Sequence, residues 1–200
     1  LPTVVTQKVL LEMNLDLEAI RDKRTNLNAQ EIGDDRERAA QWKRFDRNPV
    51  FDRGELERMV KEGVTQLTNM QLSDGGWGWF SGWGEQSAAH MTATTVRGLL
   101  VARQNDVAIV PGVIERGIEW LQRYQRDELD KLDNWDRETN KRRDESKEAN
   151  PNADNLDALV YLVLAEAKLD PFAEASRRTR DYLYQDRTKL AVYGLATFGL

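Results

Sequence analysis

Three times along this chain, a helical pattern with one apolar stripe is followed by one that is apolar on nearly every side. Over 54–72, Leu56, Met59, Val60, Val64, Leu67 and Met70 share a face, with Glu and Lys opposite. The next helical stretch, 89–104, carries Met91, Ala93, Val96, Leu99, Leu100, Val101 and Ala102 and has little polar face. The pairing repeats as 112–126 with 154–169, and as 172–185 with 188–200. A helix hydrophobic on all sides must be buried on all sides, and a striped one lies outside against it. Three outer–inner pairs in succession predict an all-α fold, an α/α toroid of concentric helices or a solenoid of helix pairs. A faint internal repeat accompanies the alternation. Gly63-Val-Thr-Gln-Leu67 through Gln71 aligns with Gly117-Ile-Glu-Trp-Leu121 through Gln125, and Gly98-Leu99 recurs as Gly194-Leu195.

The rest of the chain fits around these pairs. Leu1, Val4, Val5, Val9, Met13, Leu17 and Ile20 have helical spacing over 1–20, with Pro2 tolerated in the first turn. By the alternation this is an inner helix. Residues 21–53 form a polar arm in which Trp42, Phe45, Val50 and Phe51 are scattered. Residues 127–152 are a charged insert ending in Asn150-Pro151-Asn152, read as a solvated helix extension and loop. The expected organisation is a single domain over 1–200.

Two hundred residues with 40 % hydrophobic and 32 % charged side chains suit one water-soluble domain with a sizeable core. A net charge of −5 argues against nucleic acid as a partner. There is no cysteine, so disulfides, thiolate metal sites and cysteine nucleophiles are excluded. With His90 the one histidine, no histidine-based metal cluster can be assembled, and neither a metal nor a cofactor is expected. No apolar run reaches the ~20 residues needed to span a membrane, and no signal peptide is present. The chain opens at Leu1-Pro2 and stops within the apolar Phe198-Gly199-Leu200, which reads as an excised piece of a longer protein.

Between the first striped helix and the first apolar one lies Asp74-Gly75-Gly76-Trp77-Gly78-Trp79-Phe80. Glycine allows φ > 0 and close approach, while indole rings bury large apolar areas and need a partner for N–H. Such a turn is expected to lock the crossover between two packed helices. Trp77, Trp79 and Trp83 could instead line a cavity for an apolar or sugar ligand, but core packing is the simpler reading.

The run Gly63 through Gln71-Leu72-Ser73-Asp74-Gly75-Gly76-Trp77-Gly78, followed by Thr94-Thr95-Val96-Arg97-Gly98-Leu99-Leu100, resembles the thioester domain of bacterial α2-macroglobulins. That domain is similar in fold to the complement thioester domains, an α/α toroid. The resemblance extends over Gly112 to Gln125, and Leu1-Pro2-Thr3-Val4-Val5 resembles the segment that follows the family's Cys-x-Glu-Gln motif. The Gln-x-x-Asp-Gly-Gly-Trp-Gly signature by itself is shared with terpenoid cyclases and protein prenyltransferases.

What the resemblance implies is a protease inhibitor, not an enzyme. In the family, cleavage of a bait region releases a conformational change, and an internal Cys–Gln thioester acylates the attacking protease. Implied partners are proteases and neighbouring macroglobulin-like domains, and the implied location is periplasmic or extracellular. Lacking cysteine, this chain does not itself hold the thioester, which is expected just before Leu1. As a partial ring, the piece is expected to self-associate or to be covered by contacts.

Candidate chemical groups weigh against plainer roles. Gly82-Trp83-Gly84-Glu85-Gln86 has the outline of the thioester motif with Trp in the cysteine position, and reads as a loop. Glu85 and Gln86 read as loop polar residues. His90, at a helix start just after the turn, is a candidate helper of acyl transfer, the role a histidine takes in complement-like relatives. Its plainer role is a helix-start or interhelix hydrogen bond. Asp154-Asn155-Leu156-Asp157 and Asp34-Asp35 could suggest the acids of a terpene enzyme. Asp154 stands where a helix N-cap is expected, and cap and solvated-face roles are favoured. The alternatives to an inhibitor domain are a terpenoid-cyclase- or prenyltransferase-like toroid enzyme and a protein-interaction toroid without catalysis. Gln71, Asp74, Gly75, Gly76, Trp77, Gly78 and Trp79 are expected to fix architecture.

Overall fold

The computed structural model describes residues 2–22, 50–80, 84–139, 152–170 and 173–199, with backbone alone for 21–22 and 135–139. Most of the polar arm, including Trp42, Phe45 and Asp34-Asp35, lies outside the described residues. So do Gly82-Trp83, the end of the charged insert and Pro171. The described residues are helical, with no strand among them: α1 (Pro2–Glu12), α2 (Leu17–Asp22), α3 (Arg53–Asn69), α4 (Ala89–Gln104), α5 (Val113–Thr139), α6 (Asn155–Glu166), α7 (Glu174–Gln185) and α8 (Val192–Phe198). They fall into two units, Leu1–Gln66 with Val101–Val107, and Leu67–Leu100 with Ala108–Leu200.

In the first unit, the helix expected over 1–20 is two helices. Asn14 adopts φ 55°, Leu15 N–H donates to Leu10 O and Asn14 N–H to Leu11 O. This pair of bonds is the Schellman ending, and asparagine tolerates its left-handed residue. Asp16 then restarts the helix, its Oδ1 accepting from the N–H groups of Glu18 and Ala19. The buried side chain of α1 is Gln7, whose Nε2 donates to Val50 O at 2.8 Å. Val5, Val9, Leu11 and Met13 stand exposed, so the all-round burial expected of an inner helix is not seen. Lys8 Nζ donates to Gln104 O, a terminal carbonyl of α4, at 3.1 Å.

In the second unit the contrast between striped and all-apolar helices is real. On α4, Ala93, Val96, Leu99 and Leu100 are buried; on α6, so are Ala158, Leu159, Val160, Leu162, Val163 and Leu164. Around α6 pack α5, α7 and α8. Arg97 of α4 holds Glu166 of α6 in a two-point ion pair, Nε to Oε2 and Nη2 to Oε1, both 2.9 Å. The α6 N-terminus is as expected: Asp154 is the N-cap, accepting from Leu156 N–H and Asp157 N–H, while Asp157 accepts from Asp154 N–H. That reciprocal arrangement is a capping box with aspartate in place of glutamate.

Two boundaries differ from expectation. Helix α5 runs on past 126 to Thr139, so the expected helix extension is continuous with it but is not solvated on every side. Its buried stripe of Val113, Ile114, Leu121 and Gln125 continues through Leu129 and Leu132, so the charged sequence between them solvates the other face of one long helix. At the other end, 188–200 is not buried all round. There α8 is short, and Val192, Tyr193 and Leu195 are 84 %, 59 % and 43 % exposed. The Gly98-Leu99 and Gly194-Leu195 echo is likewise not a shared packing role. Leu99 is buried where Leu195 is exposed, and Gly194 backs onto Asn155 where Gly98 faces open space.

Candidate functional site

The turn expected to organise the chain is tied down at each signature position. Gln71 uses its whole amide. Its Nε2 donates to Gly75 O and Val113 O, both at 2.9 Å, and its Oε1 accepts from Arg116 Nε at 3.1 Å and Nη2 at 2.5 Å. Asp74 is a hub. Its Oδ1 accepts from Gly76 N–H and the Ser87 hydroxyl, its Oδ2 from Trp120 Nε1, and its backbone oxygen from Arg123. Burial by itself pushes the Asp74 carboxyl up. The bonds from Ser87, Gly76 and Trp120 and the Arg123 charge outweigh that and hold it below the ordinary carboxylate value.

Trp77 is the turn's anchor, 2 % exposed. Its indole N–H donates to Leu67 O at 2.8 Å, one of the terminal carbonyls of α3 that no helical N–H reaches. Its backbone N–H donates to Thr92 Oγ1 at 2.9 Å, and its ring lies against Gly117 of α5. A Cβ at Gly117 would come within 2.8 Å of Trp77 Cζ3 and 2.5 Å of Val96 Cγ2, so only glycine lets α5 approach this ring and α4. Gly75 has φ +94°, and a Cβ there would sit 2.7 Å from the backbone oxygen of Arg116. The signature residues therefore join the end of α3, the start of α4 and the first turns of α5.

The outer side of the turn is different. Trp79 and Phe80 are 63 % and 76 % exposed. His90, in the first turn of α4, is also exposed, and its ring lies parallel to Trp79 with centroids 6.3 Å apart. Glu85 braces this side, its Oε1 accepting from Trp79 N–H at 2.8 Å, while Gln86 is exposed. The structure thus separates the expected signature set. Gln71, Asp74, Gly75, Gly76, Trp77 and Gly78 are struts, whereas Trp79 faces outward beside His90. Trp77 packs in the core while Trp79 stands exposed.

Ser87, Thr92, Arg116, Trp120 and Arg123 complete the turn and were not expected. Positions 116, 120 and 123 are spaced by four and three, which puts them on one face of α5. That spacing was the available signal. Among the described residues no group of three or more histidine or acidic side chains could hold a metal ion, and no helix is long and apolar enough to cross a membrane.

Comparison with known proteins gives one link. Among curated proteins, the chain is 36 % identical over 69 residues to a Thermotoga maritima protein named Alpha-2-macroglobulin. The match covers 34 % of this chain and 4 % of that relative, so the chain spans a small part of the relative's length. No family model matches, and no solved structure matches. The similarity is to α2-macroglobulin, and it comes with an all-helical structure.

Proposed function

We propose that this chain is part of the thioester-presenting α/α toroid of an α2-macroglobulin-like protease inhibitor, and that its work there is architectural. The observation that carries the reading is the 36 % identity over 69 residues to Alpha-2-macroglobulin. The turn supports it, because its polar side chains Gln71 and Asp74 are consumed as struts instead of converging on a substrate. The alternation of buried and striped helices in the second unit supports the ring. In this reading the Cys–Gln thioester belongs to the longer protein, before Leu1. The domain is not an enzyme and works in the periplasm or outside the cell. Its partners are proteases and neighbouring macroglobulin-like domains. Those domains, or a second copy of the isolated piece, would cover the exposed apolar side of α8. In this reading His90, exposed at the start of α4, helps to transfer an acyl group delivered to that surface.

The test uses the full-length protein. Mixed with an active protease and run under denaturing conditions, it is expected to yield a conjugate of the summed mass, and His90→Ala is expected to slow its formation with the fold unchanged. Complete absence of conjugate across serine and metalloproteases would remove the inhibitor reading. Conjugate formation indifferent to His90→Ala would remove the role of His90 alone.

A further inference from the structure

Away from the turn, a small, partly open cavity with a largely apolar lining lies among α5, α6 and α7. Gln125 and Leu129 line it from α5, Asp157 and Val160 from α6, and Thr179 and Tyr182 from α7. Gln125 and Thr179 are each 6 % exposed, yet Gln125 Nε2 and Thr179 Oγ1 have no hydrogen-bond partner in the protein. Buried amides and hydroxyls in folded proteins are nearly always satisfied, by protein or by ordered water. Here the two side chains, from different helices, line one space, and that space has room for about one water molecule.

We infer that Gln125 and Thr179 form the binding site of a single structural water that ties α5 to α7. The donor and acceptor chemistry fits a neutral ligand. A cation would oppose the N–H groups of Gln125 Nε2. An anion would meet the carboxyls of Asp157 and Glu128, which line the same cavity. Water satisfies all three sides. It accepts from Gln125 Nε2, donates to Thr179 Oγ1 and has one O–H left for the Asp157 carboxyl. Three bonds are what buried waters typically make. The site acts as a polar rivet beside the ion pair of Arg178 with Asp133, which joins the same two helices together with the bond from Tyr182 Oη to Asp133 at 2.8 Å.

A high-resolution crystal structure of the protein tests this directly. The expected result is density for one water within hydrogen-bond distance of both Gln125 Nε2 and Thr179 Oγ1. Empty density there, or a Gln125 amide bonded straight to a protein acceptor, overturns the inference. Thermal unfolding of Thr179→Val is the second reading, since valine keeps the side-chain shape and has similar helix propensity. Removing one partner of a satisfied water should lower Tm by about 2–4 °C. An unchanged or raised Tm would mean that the hydroxyl was never hydrated, and would overturn the inference too.

Discussion

Replacing Trp77 by alanine is expected to lower the melting temperature by roughly 6–20 °C. Removing a fully buried Trp from a packed core costs about 3–5 kcal/mol, and each kcal/mol moves Tm by about 2–4 °C in a chain of this size. The indole is 2 % exposed, and its loss would do three things at once. It leaves a cavity against Gly117 and Val96, strips Leu67 O of its donor, and frees the joint between α3, α4 and α5. Against a typical total stability of about 5–15 kcal/mol, that is a large fraction. Trp77→Phe separates the contributions. It keeps most of the volume and loses the N–H to Leu67 O, so about 1–3 kcal/mol of the loss should remain. Trp79→Ala, at an exposed position of the same turn, should change stability by no more than about 0.5 kcal/mol. Circular dichroism melts of the three variants check the order. Trp77→Ala melting close to wild type would mean the turn does not carry the fold.

The second large effect concerns acidity. Asp157→Asn is expected to stabilise the protein by about 1–2 kcal/mol at pH 7.5 and to be neutral or slightly destabilising at pH 5 and below. Burial pushes the Asp157 carboxyl up to about 6, and the nearby charges of Asp154 and Glu128 push the same way. The Asp154 N–H and Lys131 oppose them without prevailing. The folded-state value is thus above the unfolded value of about 3.9. Stability from this group is fully present below pH 4 and is lost as pH rises through 6. A shift of about two units corresponds to an upper bound of roughly 3 kcal/mol. Asparagine keeps an oxygen for Asp154 N–H but gives up a negative charge at a helix N-terminus, worth about 0.3–1 kcal/mol. Asp74 acts in the opposite direction: its lowered carboxyl contributes stability that is lost only as pH falls below the usual carboxylate range. The window from pH 5 to 7.5 therefore isolates Asp157. Urea titrations at both pH values give the comparison. A variant no more stable than wild type at pH 7.5 would show that Asp157 carries no burial penalty.

Local signals were legible in the chain itself, and long-range ones were not. The apolar run over 89–104 became α4, Ala89–Gln104, because its dense apolar positions, Ala93, Val96, Leu99, Leu100 and Ala102 among them, need a buried face. Asp154 was readable as a cap because capping involves residues two and three positions on. Its neighbour Asp157 was not readable as a half-buried acid with a raised carboxyl. A capping box on a solvated face and one facing α5 have the same sequence. The break at Asn14 was hidden because the apolar spacing continues across it, although asparagine is a common residue for that conformation. At α5 the density of charge concealed Leu129 and Leu132, which carry the buried stripe onward. At the turn, the glycines and tryptophans announced a joint. What they could not announce was that Asp74 and Gln71 reach Arg116, Trp120 and Arg123 more than forty positions later.

The division within the turn carries the functional account. Its inner residues hold helices together, and its outer residues, Trp79, Phe80 and His90, offer a surface. The proposed architectural role would place the thioester itself in a longer protein, with His90 acting only as its helper. Methylamine treatment of that full-length protein measures this most directly, with intact mass and thiol titration read before and after. The account predicts a mass gain of one methylamine together with one newly titratable thiol, both mapping outside residues 1–200. No mass gain and no new thiol in freshly prepared protein would contradict it.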